Sequence, residues 1–338
     1  MKALMRVTLK QVAEKSGLSI STVSHILSGS GSSYNEATRK RIVEIADKMG
    51  YIPNKSARAM RTGRSGSIAL IMSNDLGRSA IFQQMITGIC DELEAHGYHL
   101  MLSMLPDKKL TDKEVLPHIM KHCMVDGVLI AYYNNVPKAF EELLRSNGIP
   151  NIWLNRKARF DSVYSDDKGA ITGVVEQLAA DGHKRIAFSE FTGVVSGNSA
   201  SLDIRYRTFI KQAEKYSISH TRWGREEYVP REERVALCRE YLSAKKRPTA
   251  VIGFSPSNAY PVLYASAQLG LRVPEDLSLI TFSDETANIN GVEVASLIIP
   301  FREMGIGSVK MLLKKIKQGN KQLPSLKLPL HYSEGHTL

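Results

Sequence analysis

Thr8-Leu9-Lys10-Gln11-Val12-Ala13-Glu14-Lys15-Ser16-Gly17-Leu18-Ser19-Ile20-Ser21-Thr22-Val23-Ser24-His25-Ile26-Leu27 reads as two short helices about a glycine turn. Thr8 and Gln11 have capping-box spacing, in which hydroxyl and amide each satisfy the other residue's backbone. Leu9, Val12 and Ala13 then fall on one stripe, and Gly17 can take the left-handed conformation that ends a helix. Ser19 is the N-cap of the second helix. There Val23, Ile26 and Leu27 share a face, Ser21 and His25 point the opposite way, and Ile20, Thr22 and Ser24 lie on the flanks. A third helix is expected from Asn35, with Arg39, Lys40 and Arg41 near its start. It would bury Ile42, Ile45, Ala46 and Met49 and stop at Gly50. This is helix-turn-helix spacing, although spacing alone leaves any small helical bundle open.

Charge narrows the choice. The chain of 338 residues has a formal charge of +11, and residues 1–66 hold 12 Lys/Arg against 4 Asp/Glu, a balance of +8. The rest holds 33 against 30, so a basic head precedes a near-neutral body, and the head is expected to meet a polyanion. A solubilising basic tail would lack the apolar periodicity described above. Cys90, Cys123 and Cys238 form no CxxC pair, which speaks for a reducing compartment and against a disulfide framework or zinc site. Met1–Arg6 carries charge without an apolar core, so no signal peptide is expected and the bacterial cytoplasm, at the nucleoid, is the expected location.

The opening string resembles the head of the LacI/GalR family of bacterial repressors. So do Thr38-Arg39, Met49-Gly50-Tyr51-Ile52-Pro53-Asn54 and Ala57-Arg58-Ala59-Met60. The resemblance implies that Ile20, Ser21 and His25 read bases in the major groove, while Thr8, Ser19, Thr22 and Ser24 hold phosphates. Helical geometry agrees for Ser21 and His25; Ile20 lies halfway toward the buried face, and simple packing stays open for it. His25 stands where arginine is commoner, and a neutral imidazole donates one hydrogen bond only. A hinge is expected over 54–66. The resemblance implies that its short helix enters the minor groove with Met60 as the apolar wedge and Arg61 beside it. Helices this short are unstable alone, so ordering on DNA is expected. A plain linker role for Met60 stays open.

From residue 67 onward, short apolar runs alternate with amphipathic stretches. Candidate strands are Ser67–Met72, Tyr98–Met104, Asp126–Ala131, Asn151–Leu154, Ser162–Tyr164, Arg185–Ser189, Ala250–Phe254 and Ser278–Phe282. Intervening helical patterns indicate parallel sheets of βαβ units, too many for one modest sheet, so two lobes are expected. Val125–Ile130, Gly182–Ala187, Arg247–Val251 and Gly270–Ser278 also resemble the family's sensor. The resemblance implies Rossmann-like lobes of periplasmic-binding-protein type with an effector in the cleft, where open α/β sheets bind ligands anyway. The fold class is thus a small all-α helix-turn-helix head plus an α/β body. The expected domains are a DNA-binding head at 1–53, hinge and linker at 54–66, and an effector-binding and dimerisation domain at 67–338. Within the last, the N-lobe covers about 67–160 and 294–324, and the C-lobe about 161–293 and 325–338.

The resemblance assigns Phe82 to pack on the effector and Arg205 to bind it; a core residue and a solvated helix charge are the respective alternatives. Two acids usual in the family are replaced by Ser255-Pro256 and by Ser283, with Asp284 one place later. Ser255, Ser283 and Asp284 complete the expected effector set. With fewer carboxylates and Arg205 retained, and Arg78 a further candidate for the same opening, an acidic metabolite is expected over a sugar or sugar derivative. No cofactor, metal or catalytic residue is expected. No phosphate-binding loop, HExxH or G-x-S-x-G occurs, and Gly305-Ile306-Gly307 reads as helix packing. A transport solute-binding protein would carry a signal peptide and no basic head. An α/β enzyme would need a nucleophile, a base and an oxyanion site, and none assembles here. The expectation is therefore a repressor, homodimeric on near-palindromic operator DNA and away from any membrane, with affinity set by a small-molecule effector.

Overall fold

The computed structural model describes residues 7–27, 34–52, 64–74, 81–106, 125–132, 136–191, 200–224 and 228–338. The chain divides into two units, Met1–Ser65 and Gly66–Leu338.

In the first unit, helices α1 (Leu9–Ser16), α2 (Ile20–Leu27) and α3 (Glu36–Met49) enclose Val12, Ala13, Val23, Ile26, Ile42 and Ala46. The expected capping box is present, with the Thr8 backbone N–H donating to Gln11 Oε1 at 2.8 Å. Gly17 ends α1 at φ 70°, a conformation that costs glycine nothing. Ser19 Oγ accepts from the Thr22 N–H at 3.1 Å and starts α2. Asn35 caps α3 through the Ala37 N–H, and Gly50 ends it in the left-handed region. Arg41 donates to the Ser16 carbonyl at 3.0 Å, fastening α3 to the free end of α1. Ile45 and Met49 pack only at the margin of this core.

The second unit holds two sheets. The first contains β1 (Ser67–Ser73), β2 (His99–Leu105), β3 (Gly127–Ile130), β4 (Asn151–Leu154), β5 (Ser162–Ser165) and β12 (Leu326–Leu328), all parallel, in the order β12-β5-β4-β3-β1-β2. The second contains β6 (Arg185–Ser189), β7 (Ser219–Trp223), β8 (Ala250–Gly253), β9 (Ser278–Ser283), β10 (Ala287–Ile289) and β11 (Val292–Ile298) in the order β10-β11-β9-β8-β6-β7, with β13 (His331–Ser333) antiparallel to β11. Strands β3, β8 and β9 are buried throughout, as expected of parallel sheets covered on both faces.

Helices α4 (Gln83–Ala95), α5 (Lys138–Ser146) and α10 (Phe301–Lys317) serve the first lobe, and α6 (Asp167–Ala180), α7 (Ala200–Lys215), α8 (Arg231–Ser243) and α9 (Pro256–Gln268) the second. Gly305 does pack helices. A Cβ there would lie 2.4 Å from the Met85 carbonyl, and one at Gly88 would lie 2.2 Å from that of Arg302, so α4 and α10 touch backbone to backbone. Sheet membership sets the crossings between lobes after Ser165, Ile298 and Leu328. These lie a few residues beyond the expected 160, 293 and 324, because β5 still pairs with β4, β11 with β9 and β12 with β5. Most of the hinge expected at 54–66 lies outside the described residues.

Candidate nucleic-acid interface and effector site

On α2, Val23 and Ile26 are buried while Ser21 and His25 are exposed on the opposite side. Ile20 is 49% exposed, so its side chain faces solvent instead of filling the head's core. Thr22 and Ser24 are half-buried on the flanks, and the Ser19 and Thr22 hydroxyls lie 2.9 Å apart. Thr8 and Ser19 are exposed at the starts of the two helices, where backbone N–H groups favour anions. One solvent face therefore gathers Ile20, Ser21 and His25, with hydroxyls beside it. Met60 and Arg61 lie outside the described residues.

In the second unit the C-terminal ends of β8 and β9 are adjacent, with Gly253 registered against Thr281. Arg205, on α7, is 3% exposed beneath them. Its Nε donates to Asp167 Oδ1 at 2.8 Å, its Nη2 lies 2.8 Å from the same oxygen, and its Nη1 donates to the Phe254 carbonyl at 3.3 Å. The guanidinium carbon lies 3.7 Å from the Phe282 ring centre and 5.1 Å from that of Phe254. Arg205 is thus no solvated helix charge. Nor is it an unbalanced cation, because Asp167 supplies its counter-charge; the premise of a cationic cleft is corrected accordingly. Sequence reasoning missed Asp167, and its signal was the acidic pair Asp166-Asp167 directly after a strand, at the start of a helix. Asp166 caps that helix through the Gly169 N–H at 3.1 Å and bonds Lys327 at 2.7 Å. Burial pushes its carboxyl up, but these bonds and the charges of Lys327 and Lys157 outweigh that and hold it below its ordinary value.

Ser255 and Ser283 directly follow Phe254 and Phe282, the two residues whose rings Arg205 contacts. Ser255 Oγ accepts from Asn258 at 2.8 Å, Ser283 is buried, and Asp284 is exposed. Phe82 is 39% exposed at the N-cap of α4 and stacks on Phe301, ring centres 3.9 Å apart, so it is not a core helix residue. The Ser283 carbonyl accepts from Ile299 N–H at 2.8 Å, two residues before Phe301. That bond ties Ser283 to the segment leading into Phe301, on which Phe82 stacks. Arg78 lies outside the described residues. Among the described residues no group of three His, Cys, Asp or Glu is placed to hold a metal ion. Among the described residues His96 bonds locally, its Nδ1 lying 2.9 Å from the Glu92 carbonyl oxygen one turn earlier.

Known proteins share both halves of this arrangement. Residues 8–54 match the family described as bacterial regulatory proteins, lacI family, and residues 175–338 match the periplasmic binding protein-like domain. The chain belongs to the LacI family. It is a DNA-binding transcriptional regulator with an effector-binding domain of periplasmic-binding-protein type, not an enzyme. The HTH-type transcriptional repressor PurR of Photobacterium profundum is 23% identical to it over 320 residues, covering 93% of each chain. Catabolite control protein A of Priestia megaterium is 24% identical over 340 residues, covering 96% of this chain and 97% of its own. The crystal structure of the Lac repressor dimer bound to operator and the anti-inducer ONPF has the same fold, with a TM-score of 0.78, 22% identity and coverage of 98% and 99%. No helix among the described residues of this LacI-family chain is long and apolar enough to cross a membrane.

Proposed function

We propose that this LacI-family chain is a cytoplasmic repressor that binds near-palindromic operator DNA as a homodimer and changes affinity when a small molecule enters the cleft. The observation that carries the reading is the solvent face of α2, where Ser21, His25 and Ile20 stand exposed within a head of net charge +8. Ile20, Ser21 and His25 contact bases; Thr8, Ser19, Thr22 and Ser24 contact phosphates, which orient the head without reading sequence. Met60 wedges between base pairs in the minor groove, with Arg61 beside it. Pairing two small heads gives specificity by symmetry, as in the lac repressor dimer on its operator. Exposed Leu102 and Met104 on edge strand β2, and the stacked, exposed Tyr260 and Tyr264 on α9, offer apolar surface for that dimer.

The effector contacts Phe82, Arg205, Ser255, Ser283 and Asp284. Because Asp167 neutralises Arg205, an uncharged hydroxylated molecule such as a sugar or sugar derivative fits better than an acidic metabolite. Fluorescence anisotropy on labelled duplexes tests the DNA half. Binding should weaken by orders of magnitude between 50 and 200 mM salt, roughly as expected for several phosphate contacts. Salt-independent binding would contradict the reading. Calorimetry with neutral sugars and their phosphates tests the effector half, and exclusive binding of the phosphates would overturn it.

A further inference from the structure

A groove of about 850 Å³ opens in the second lobe between α6 and the C-terminal segment. Its apolar floor is Val174, Leu297, Leu330 and Leu338. Its rim carries Asp166, Asp181 and Glu334 with Tyr332, and among the described residues no Lys, Arg or His lines it, in a chain of net charge +11. Asp166 is matched by Lys327, but among the described residues neither Asp181 nor Glu334 has a salt-bridge partner. Gln177 orients Asp181 by donating to its Oδ1 at 2.9 Å. Tyr332 stands half-exposed on the same rim, its hydroxyl held above its ordinary value by burial and by the charges of Glu334 and Asp181.

The walls are fixed before anything binds. Strand β13 pairs with β11, and the Thr337 hydroxyl bridges the Ala295 N–H at 2.9 Å and the Leu279 carbonyl at 2.6 Å. On the other wall, a Cβ added at Gly173 would meet nothing within 4 Å, so this helix face stands open. The volume is that of a small-molecule site, and its chemistry is an apolar floor beneath an exposed aromatic ring and two unbalanced carboxylates. We propose that this groove is a second ligand site, separate from the cleft, for a small organic cation with an apolar body, such as an arylalkylamine. The ammonium would be held by Asp181 and Glu334 over Tyr332, and the apolar body by the floor. Two of the three crossings border it, since Asp166 directly follows β5 and Pro329 directly follows β12. An occupant therefore touches the chain where it passes between lobes.

The test is calorimetry of the full-length protein with tryptamine, its neutral counterpart tryptophol and the anionic indole-3-propionate. Saturable one-to-one tryptamine binding is expected, at least tenfold weaker for tryptophol and absent for indole-3-propionate. Gly173→Leu should abolish it by filling the groove, and leucine favours a helix over glycine, so this variant folds. Asp181→Asn with Glu334→Gln should weaken tryptamine tenfold or more while leaving tryptophol unchanged. Absence of saturable tryptamine binding, equal affinity for the three probes, or undiminished binding by Gly173→Leu would each overturn the proposal.

Discussion

Removing Asp167 should destabilise the second unit more than any surface change could. Its carboxylate and the Arg205 guanidinium are 5% and 4% exposed, so solvent screening is small. Asp167→Ala would leave a cation buried between Phe282 and Phe254 with one carbonyl bond remaining. Breaking a buried pair from one side costs about 3–5 kcal/mol, because the surviving charge keeps its desolvation penalty. At about 2–4 °C per kcal/mol for a unit of this size, the melting temperature should fall by roughly 6–20 °C. Replacing both groups, Asp167→Leu with Arg205→Met, should recover most of the loss, since an apolar pair carries no such penalty. Differential scanning calorimetry of the four proteins gives the coupling directly. A loss below about 1 kcal/mol for Asp167→Ala, or simple additivity in the double variant, would refute the reasoning and return Arg205 to the role of an available cation.

Other expectations follow from single contacts. His183 is half-buried with Nδ1 2.8 Å from Thr249 Oγ1, and burial holds its imidazole below the ordinary value despite the charge of Asp181. The folded state then binds fewer protons than the unfolded one, so stability is full above about pH 6.5 and declines as pH falls toward the folded value; in urea titrations His183→Gln should flatten that slope. Gly88→Ala must part α4 from α10 and should cost about 1–3 kcal/mol, whereas Gly173→Ala, facing open space, should gain up to about 1 kcal/mol; thermal melts that move together would contradict the backbone contact. Burial pushes the Cys238 thiol up to about 12, so a thiol reagent at pH 8 should label exposed Cys90 in the native protein and reach Cys238 only on unfolding.

The head was legible because its signals are local. Thr8 and Gln11 four residues inclusive, Gly17 and Gly50 past helix ends, and the Val23-Ile26-Leu27 stripe each specify geometry within one turn. The buried strands were legible as apolar runs for a similar reason. Strand β7, Ser219–Trp223, was missed because it is a mostly exposed edge strand with polar residues. The hairpin of β10 and β11 was missed despite its Asn290-Gly291 turn, both residues at positive φ, a dipeptide that marks such hairpins. The Arg205–Asp167 pair was hidden for a different cause. Its partners are 38 residues apart on separate helices, and only the packing of α6 beside α7 joins them. Charge counted along the chain therefore gave a cationic cleft, while charge paired in space gives a neutral one.

Selection of bound sequences from random duplex DNA by the full-length protein, run in parallel with His25→Ala, tests the central reading most directly. The expected result is a near-palindromic motif of two half-sites, with the preference at one position per half-site relaxed by about 1–3 kcal/mol in the variant and the others retained. No enriched motif, or a motif without dyad symmetry that His25→Ala leaves untouched, would contradict the reading of this chain as a dimeric operator-binding regulator.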